Sequence, residues 1–590
     1  MTDSDAGVGG RVFLIGFGAL AAFCLWVLAD SWGADLLGAR VFLTLFSFAA
    51  VFFGVALAVT GPVSVGRAVL AGLMVAVPIS TLISWAGFRF DEAGQFLDDP
   101  RALAVAGVMV VLATPFVSVW MSQRERVFDY ATLFDTAWTI AVRYVAGWLF
   151  VGVFWVIVFL SNSLLELVDI EVIQVLFEVD WVRFALSGAV LGLGLAVAFE
   201  LRKYVSPLLL LRLLRLLLPI VLGVVAVFIA ALPFRGLSHL FGEFSSAGTL
   251  MGVAIAAISL ISVALDRDDA DGINTPGMKA AARALAMTVP VLSGLALWSV
   301  VLRVQQYQWT PERVLAITVA AVLLIYGLTY AIAALRGRGW RGAIRRGNVT
   351  MALIAMVVAA LWLTPVLNAE RISAQSQLAR FETGEATPEQ LPLWEMANDW
   401  GHAGQAALAA LEAQAQQAPD GDLSTRLSAL AGSETRFDFE QRMNTETALI
   451  GLGQLVPLMA VRPVGAIELT EEMFAGLPDY RLTRWQQGCA RQDGGGPSCV
   501  WVSGAFLPGI PADEQAVILF HAAGRVVGNH VTLENGQITD RVRELYDMGS
   551  DSWAELPADA IARVLSGDFE VVPSGVSVLQ LDKLRLLPGN

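Results

Sequence analysis

The sequence predicts a polytopic α-helical membrane bundle of about eleven transmembrane helices, followed by an extracytoplasmic α+β domain. The 590 residues are 56% hydrophobic and only 16% charged, and the mean hydropathy is +0.63, whereas soluble domains are about 45–50% apolar. Apolar runs of membrane-spanning length continue to residue 367, where a polar chain replaces them. This change predicts a transmembrane helical domain over residues 1–368, a helical segment outside the membrane over 369–450, and an α+β domain over 451–590.

The transmembrane domain is predicted from apolar runs that are long enough to cross the ~30 Å hydrocarbon core of a bilayer. The first run is expected to be a retained span, because no cationic stretch precedes it and no small-residue cleavage site follows it, as a secretory signal requires. The runs cover residues 12–29, 41–60, 68–87, 102–121, 144–160, 182–199, 216–234, 249–265, 285–302, 314–335 and 351–367.

The distribution of cations predicts the orientation of these spans, because loops that stay in the cytoplasm collect Lys and Arg. Alternate loops are rich in these residues, and the densest cluster precedes the last span. This cluster consists of Arg336, Arg338, Arg341, Arg345 and Arg346. We therefore expect a cytoplasmic N-terminus and a C-terminal domain on the far side of the membrane.

Two segments are predicted to lie on the membrane surface. In residues 127–143, apolar residues recur at helical spacing opposite Asp129 and Asp135, which indicates an interfacial helix that leads into the fifth span. Residues 164–181 alternate apolar and acidic residues in a similar way. Each segment fits a lid or a docking ridge, but a connector that follows the membrane surface is the favoured interpretation.

Several strings in the membrane part resemble a known family. They are "FDYATLFDTAWTIAV", "LLELVDI" followed by "LSGAVLGLGLA", "LLRLLRLLLPIVL" with "FRGLSHLF", and "LWSVVLRVQQYQWTPERV". Over roughly residues 127–415 the chain is similar to the bacterial membrane proteins of domain-of-unknown-function family 4153. The resemblance implies a multi-pass protein of the bacterial cytoplasmic (inner) membrane with a tail beyond the last span. It supplies no reaction, cofactor or catalytic residue.

The last of these strings also predicts a local structure. Thr310 is suited to cap a helix that begins with Pro311, and Glu312 in its first turn suits the positive end of the helix dipole. Because Tyr and Trp favour the membrane interface, the segment is predicted to be a rigid turn between two spans or, alternatively, a substrate-contacting loop. This candidate outer-interface signature comprises Arg303, Gln306, Tyr307, Trp309, Thr310, Pro311, Glu312 and Arg313.

The tail is predicted to change from helices to strands along its length. Residues 371–445 are rich in Gln, Ala and Glu, and breaks near Pro392 and Gly421 divide them into helices. After Pro457, runs rich in Val and Ile predict strands at residues 459–467, 500–506, 516–521, 525–533 and 569–579. Asn535 and Gly536 are a strong signal for a tight β-hairpin.

Cysteine usage predicts one disulfide, provided that the tail is exported. Of the three cysteines, Cys24 lies in an apolar run, whereas Cys489 and Cys499 are close together in the tail. An oxidising compartment favours pairing of nearby thiols, and the glycines and proline between them allow the chain to fold back. A redox-active pair or half of a metal site is the alternative, but the spacing is wider than in a Cys-x-x-Cys motif.

The sequence lacks motifs that are typical of metal-binding, cofactor-binding or catalytic sites. The four histidines, His239, His402, His521 and His530, are scattered without metal-ligand spacing, although His521 and His530 could meet across strands. No phosphate-binding glycine pattern stands between a strand and a helix. We therefore predict no catalytic, cofactor-binding or metal-ligating residue. The net charge of −14 gives no indication of a nucleic-acid partner.

Three classes of function are open. A coupled transporter needs ionisable groups within the bilayer, and none stands near the middle of a predicted span, although Pro78 and Pro290 could mark broken helices around a cavity for a small or lipid-like solute. An outer-face enzyme such as a lipid-linked glycosyl transferase would use outer carboxylates, for which the candidates are Asp91, Glu92, Asp98 and Asp99, and Glu166, Asp169 and Glu171. The favoured interpretation is a non-enzymatic envelope scaffold, sensor or partner-binding protein that contacts the lipid bilayer and an envelope protein.

Overall fold

The computed structural model describes residues 3–590 apart from residues 35, 91–92, 169, 171–172, 174–176, 201–206, 236–245, 338, 420, 441, 444–454, 475–476, 491–497, 523–524, 540, 548–551, 554–555, 574–576, 582–583 and 589–590. The chain forms two compact units, Met1–Gln414 and Ala415–Asn590. Residues 369–414 therefore belong to the same unit as the bundle. Independent folding of the three predicted domains stays a prediction.

Helices make up the first unit, and eleven helices among the described residues are long and apolar enough to cross a membrane. This agrees with the number predicted from the sequence, and it is the architecture of a multi-pass membrane protein. One of the eleven combines the end of α8 with α9. The helices are α1 (Asp3–Gly33), α2 (Ala39–Val59), α3 (Val65–Gly87), α4 (Ala93–Asp98), α5 (Pro100–Ser122), α6 (Tyr130–Glu166), α7 (Asp180–Glu200), α8 (Pro207–Leu216), α9 (Leu218–Arg235), α10 (Ser246–Leu265), α11 (Pro276–Tyr307), α12 (Pro311–Leu335) and α13 (Trp340–Trp362).

Small residues allow the helices to approach closely. A Cβ atom at Gly188 of α7 would collide with the carbonyl oxygen of Gly18 in α1, and one at Gly192 would collide with that of Leu14. Helices in lipid lack a hydrophobic driving force for association, so close backbone contact through glycine supplies attraction by packing. Two glycines of the string "LSGAVLGLGLA" are thus explained by the contact between α1 and α7, and the third, Gly194, packs against Gly147 of α6.

Prolines lie inside four unbroken helices of the described part of the bundle. These residues are Pro78 in α3, Pro115 in α5, Pro233 in α9 and Pro290 in α11. Pro290 packs against Gly327 of α12, where a Cβ atom would lie only 2.7 Å from the proline nitrogen. The alternative of broken helices at Pro78 and Pro290 is therefore wrong, because the neighbouring helix accommodates the proline without interruption of the span.

The predicted interfacial helix over residues 127–143 is not a separate element. It is the beginning of α6, which Asp129 caps through the backbone N–H of Thr132 and which continues unbroken to Glu166. A helix of 37 residues is about 55 Å long, so it extends well beyond the ~30 Å apolar core. Part of the second predicted surface segment, residues 164–181, lies outside the described residues.

The last span also differs from the prediction. It begins at Trp340 and not at residue 351, and it ends at Trp362, after which Pro365 starts a short 3₁₀ turn. Polar residues in its first turns obscured this start in the sequence. They are accommodated because other parts of the protein bind them, and the most buried of them is Arg341, which is 8% exposed.

Some arginines of the predicted cytoplasmic cluster bind groups of the bundle. Arg345 donates to the Leu265 carbonyl at the end of α10 and pairs with Asp269 at 2.8 Å. Arg341 lies 3.6 Å from the same Asp269 carboxylate. Arg336 and Arg346 are exposed, and Arg338 lies outside the described residues.

Arginines bind the carbonyl groups at the carboxyl ends of most bundle helices. These groups have no partner inside their own helix, and lipid offers none. The contacts are Arg143 on α2, Arg40 just after α3, Arg67 on α5, Arg215 and Arg345 on α10, Arg313 on α11, Arg283 on α12 and Arg89 on α13. Each guanidinium thus joins the end of one helix to another element.

Helices continue after the bundle. The described helices of residues 369–431 are α14 (Ala369–Glu382), α15 (Leu393–Asn398), α16 (Gly401–Ala415) and α17 (Asp422–Ala431). Asn368 caps α14 by accepting a hydrogen bond from the backbone N–H of Arg371. These elements match the helices predicted for the first part of the tail.

The second unit is built on a mixed sheet, which confirms the predicted α+β class of the C-terminal part. The strand order is β1-β2-β3-β4-β6-β10-β9-β8, with β1 and β2 parallel and the other pairs along this path antiparallel. The strands are β1 (Met459–Arg462), β2 (Cys499–Ser503), β3 (Gln515–Ala522), β4 (Arg525–Glu534), β5 (Gln537–Ile538), β6 (Arg543–Asp547), β7 (Ser552–Trp553), β8 (Glu570–Pro573), β9 (Ser577–Leu581) and β10 (Leu584–Pro588), and the helices are α18 (Asp479–Cys489) and α19 (Ala560–Ser566).

Two local predictions for this unit agree with the structure. Asn535 and Gly536 both have positive φ, 54° and 81°, and they connect the paired strands β4 and β5 as a tight turn requires. Cys489 at the end of α18 and Cys499 at the start of β2 lie at disulfide distance, with their Cα atoms 5.0 Å apart. Both cysteines are buried in a core that contains Trp485.

Alkylation tests the disulfide directly. The protein is denatured without reductant and treated with a thiol reagent, and we expect one labelled cysteine, Cys24, because the other two are bonded. After reduction, three cysteines should be labelled. Removing the bridge by C489S is expected to cost about 2.5–3 kcal/mol of stability in the chain-entropy description of a loop this short. Labelling of all three cysteines before reduction would contradict the pairing.

Candidate functional site

Helix α14 buries polar side chains on the face that contacts the bundle. Glu370, Ser373 and Gln377 are 4%, 0% and 3% exposed, and their spacing of three and four residues places them on one side of the helix. That side meets the ends of α3, α11, α12 and α13. We name this contact region the α14 platform. Burial of polar groups costs free energy unless they are hydrogen-bonded, so the platform depends on specific partners.

The ion pair between Arg89 and Glu370 is the centre of the α14 platform. Nη1 of Arg89, just after α3, lies 3.1 Å from Oε2 of Glu370, and the two side chains are 10% and 5% exposed. Nη2 of Arg89 donates to the carbonyls of Trp362 and Thr364 at 2.5 and 2.8 Å. One guanidinium therefore connects α3, the end of α13 and α14.

The backbone of Arg89 brings α16 to the same place. The N–H of His402 donates to the Arg89 carbonyl at 2.9 Å. Gly401 has a φ of +50°, and a Cβ atom there would collide with that carbonyl oxygen. Only glycine meets both conditions, because it tolerates positive φ and leaves room for the backbone of another element.

The signature turn between α11 and α12 lies at the other side of the platform. Nε2 of Gln377 donates to the carbonyls of Tyr307 and Trp309 at 3.4 and 3.2 Å. Gln308 has a φ of +60°, which is strained for a residue other than glycine, and its side chain accepts a hydrogen bond from Ser376. Helix α14 thus holds this turn in a conformation that it would not adopt freely.

Arginines complete the turn from the side of the bundle. Arg313 donates to the Tyr307 carbonyl at 2.9 Å and stacks on its ring at 5.5 Å. Arg101, at the start of α5, pairs with both Asp99 and Glu312. The first turn of α12 is therefore fixed to α5 by opposite charges. These contacts favour the rigid-turn interpretation of the signature.

Other residues of the signature have smaller roles. Thr310 is the N-cap residue of α12, as predicted, but its side chain accepts no cap hydrogen bond. Pro311 follows at the first helical position, where the missing backbone N–H of proline leaves no donor unpaired. Gln306 is exposed on the last turn of α11, and Arg303 lies half-buried one turn earlier. The sequence identified this turn, but it gave no sign that α14 would cover it.

A pocket of about 510 Å³ opens beside the ion pair. Its lining includes small residues of α14 and α16 together with the exposed side chains of Arg371, Gln375 and His402. Two buried atoms of the platform, Oγ of Ser373 and Oε1 of Gln377, have no hydrogen-bond partner among the described residues.

Polar groups inside the bundle form a closed network that sequence reasoning missed. Oδ1 of Asn348 in α13 accepts hydrogen bonds from Tyr326 and Tyr330 at 3.0 and 2.7 Å. Its Nδ2 donates to Ser262 and Tyr130 at 3.1 and 3.4 Å. The network joins four helices and leaves the polar atoms of Asn348 occupied. An Asn three residues after an arginine, on the same helix as an apolar run, was the signal that could have revealed it.

Arg143 ends the segment that was predicted to lie on the membrane surface, but it lies inside α6 and is 3% exposed. Its guanidinium donates to the carbonyls of Ala58 and Thr60 at 3.1 and 3.0 Å and stacks on the Phe199 ring at 5.2 Å. A buried cation in this position satisfies the end of α2.

The outer acidic groups do not form a catalytic pair among the described residues. Asp99 binds Arg101, whereas Asp98 and Glu166 are exposed. Asp91, Glu92, Asp169 and Glu171 lie outside the described residues. In the part of the chain that is described, no cluster of three or more His, Cys, Asp or Glu residues could hold a metal ion.

The histidines also stay apart. His521 pairs with Val526 in the sheet and His530 pairs with Val517, so the two do not meet across strands, contrary to that suggestion. His530 is fully buried beside Gln515, and burial, reinforced by the charge of Arg543, lowers its pKa to about 4. It is therefore a neutral core residue. His239 lies outside the described residues.

The ion pair of the platform can be tested by E370Q, which keeps the size of the side chain and removes its charge. We expect a loss of about 3–5 kcal/mol of stability, because the buried Arg89 guanidinium keeps its charge and loses its counter-ion. Thermal unfolding of the purified protein measures this. R371Q changes an exposed neighbour and is the matched control, for which a change within about 0.5 kcal/mol is expected. Equal effects of the two variants would contradict the central role of the pair.

Comparison with protein-family models, with curated proteins and with solved structures finds no match to this chain. The resemblance to domain-of-unknown-function family 4153 therefore stays a prediction.

Proposed function

We propose that this chain is a bacterial inner-membrane protein that acts as a non-enzymatic envelope scaffold. In this proposal, the helical bundle anchors a C-terminal α+β domain, and that domain binds a protein partner in the periplasm or extracytoplasmic space. Membership of domain-of-unknown-function family 4153 is part of the same proposal. The α14 platform is the observation that carries it.

The contacts of the platform favour rigid anchoring over movement. Arg89 and Arg101 are buried or nearly buried and each binds groups from more than one element. Breaking the pair between Arg89 and Glu370 would leave two largely buried charges without their counter-ions, which makes the arrangement costly to open. The first helix after the last span is therefore fixed to the bundle, as a holder for a soluble domain requires.

The interior of the bundle supports the same proposal. The polar atoms of Asn348 are occupied by neighbouring hydroxyl groups, and the prolines lie in continuous helices. A coupled transporter would instead bring ionisable groups together at mid-membrane depth, and an outer-face enzyme would bring carboxylates together in a cleft. Neither arrangement occurs in the described part of the bundle.

The proposed orientation follows from the Arg-rich loops and is tested by reporter fusions. A reporter that is active only outside the cytoplasm should be active after Asn590 and silent when inserted near Gly339. Both fusions need the same expression level, measured by immunoblot of the full-length chain. The reverse pattern of activity would refute the orientation and with it the export of the C-terminal domain.

Partner binding is tested by site-specific photo-crosslinking in living cells. A photoreactive amino acid replaces Val464, Glu514 or Glu534, which are exposed positions of the second unit. We expect at least one position to give a discrete adduct with another envelope protein. The matched control is the same amino acid at Phe159, an apolar position of α6 that is 70% exposed, where only lipid adducts are expected.

Two results would contradict the scaffold proposal. One is the absence of protein adducts from all three positions while the chain is folded and correctly oriented. The other is saturable uptake of a solute by vesicles that contain only the purified protein. The variant S293A checks the second result. Interhelical hydrogen bonds in membranes contribute only about 0.6 kcal/mol, so S293A should stay folded, and its solute uptake can be compared with that of the unaltered protein.

A further inference from the structure

A cavity of about 540 Å³ lies between α2, α5 and α6. Small residues on the facing sides of α2 and α6 leave this space, namely Gly54, Ala58, Ala137 and Ala141. A Cβ atom at Gly54 would meet no atom within 4 Å. The volume falls in the ~300–1,000 Å³ range of ligand pockets, so the space is large enough for part of an organic ligand.

The lining of the cavity fits an apolar ligand. Its two hydroxyl groups are already used: Thr114 donates to the Val110 carbonyl at 2.6 Å, and Tyr144 donates to the Gly54 carbonyl at 2.5 Å. The other lining residues are apolar, and one of them, Val111, is 70% exposed. The cavity therefore opens sideways from the bundle, in the direction from which lipid chains approach a spanning helix.

The cavity lies toward one end of the bundle. Ala58 is next to the last residue of α2, and Thr114 is eight residues before the end of α5, which corresponds to about 12 Å. One leaflet of the apolar core is about 15 Å thick. The cavity thus has the depth of the acyl chains of the leaflet whose headgroups meet these helix ends.

Cations lie at the end of α5, about 12 Å along that helix from Thr114. Arg67 donates to the Met121 carbonyl at 3.4 Å, and Arg124 stacks on the Trp120 ring at 5.5 Å. Arg126 follows in the same exposed 3₁₀ turn. Two carboxylates are close in sequence: Glu125 lies between the arginines, and Asp129 caps α6. The arginines exceed the carboxylates, which favours an anionic group.

We propose that the cavity binds one acyl chain of an anionic phospholipid, whose headgroup lies beside Arg67, Arg124 and Arg126. The small residues of α2 and α6 provide the space for the chain, and the arginines select the charge. This site is independent of the α14 platform, which lies at the opposite ends of the helices.

A photoreactive lipid tests the proposal in vesicles that contain the full chain. The probe is a phosphatidylglycerol with a diazirine near the end of one acyl chain, and the comparison probe is a phosphatidylcholine with the same chain. Labelled residues are identified by mass spectrometry. We expect labelling concentrated on Val110, Val111 and Ile140 of the lining. The yield should be higher with the anionic probe.

Two sets of variants separate the chain from the headgroup. G54L fills the cavity and is expected to reduce labelling of the lining by about ten-fold or more, since a close-packed space has no room for a second group; A141F fills it from α6. G252L, at an open glycine of α10, is the matched control and should label as the unaltered protein does. R124Q with R126Q should lower labelling by the anionic probe about five-fold or more and leave the neutral probe unchanged.

The possible outcomes test the acyl-chain site and the headgroup assignment separately. Equal labelling of all exposed helix faces, or unchanged labelling of folded G54L and A141F, would overturn the site. Equal labelling by the two probes would overturn the headgroup assignment. Reductant-dependent cysteine labelling and size-exclusion profiles check that each variant is folded.

Discussion

The ends of helices in an apolar medium are the constraint on which this structure depends. The last carbonyl groups of a helix have no partner within it, and a bilayer core offers no water to bind them. Arginines from other elements satisfy these groups at α2, α5, α10, α11, α12 and α13. A positive charge is also favoured at the negative end of the helix dipole. The same contacts that complete each helix therefore connect it to its neighbours.

The binding of carbonyl groups at helix ends explains arginines that the topology of the spans does not explain. Loops on the predicted outer side have few arginines, but Arg40, Arg89 and Arg313 are among them, and each binds a carbonyl at or just after a helix end. Arg101 pairs with Asp99 and Glu312 instead. In the cluster that is predicted to be cytoplasmic, Arg341 and Arg345 are likewise bound to groups of the bundle. The number of cations in a loop therefore reflects both the orientation of the spans and the binding of carbonyl groups at helix ends, and only the first concerns topology.

The sequence predicted the features that have a local cause. The number of spanning helices, the α+β class of the tail, the turn at Asn535 and the proximity of Cys489 to Cys499 all follow from patterns within short stretches. The predictions from the sequence were wrong where contacts between distant residues determine the structure. The start of α13 depends on Asp269 and on carbonyls of α10, and the buried polar face of α14 depends on Arg89 and on the turn after α11. A hydropathy pattern has no information about partners that lie 68 to 281 residues away.

The distribution of these clamps bears on the class of function. Transport by alternating access requires one group of helices to rock against another around a central site. Here guanidinium groups fix different helices to each other at both ends of the bundle, through Arg89 and Arg313 at one end and Arg143 and Arg345 at the other. Rocking would break several charge-assisted hydrogen bonds at once in an apolar medium, where each is costly to lose. A bundle whose helices are joined at both ends by these hydrogen bonds is suited to anchor another domain.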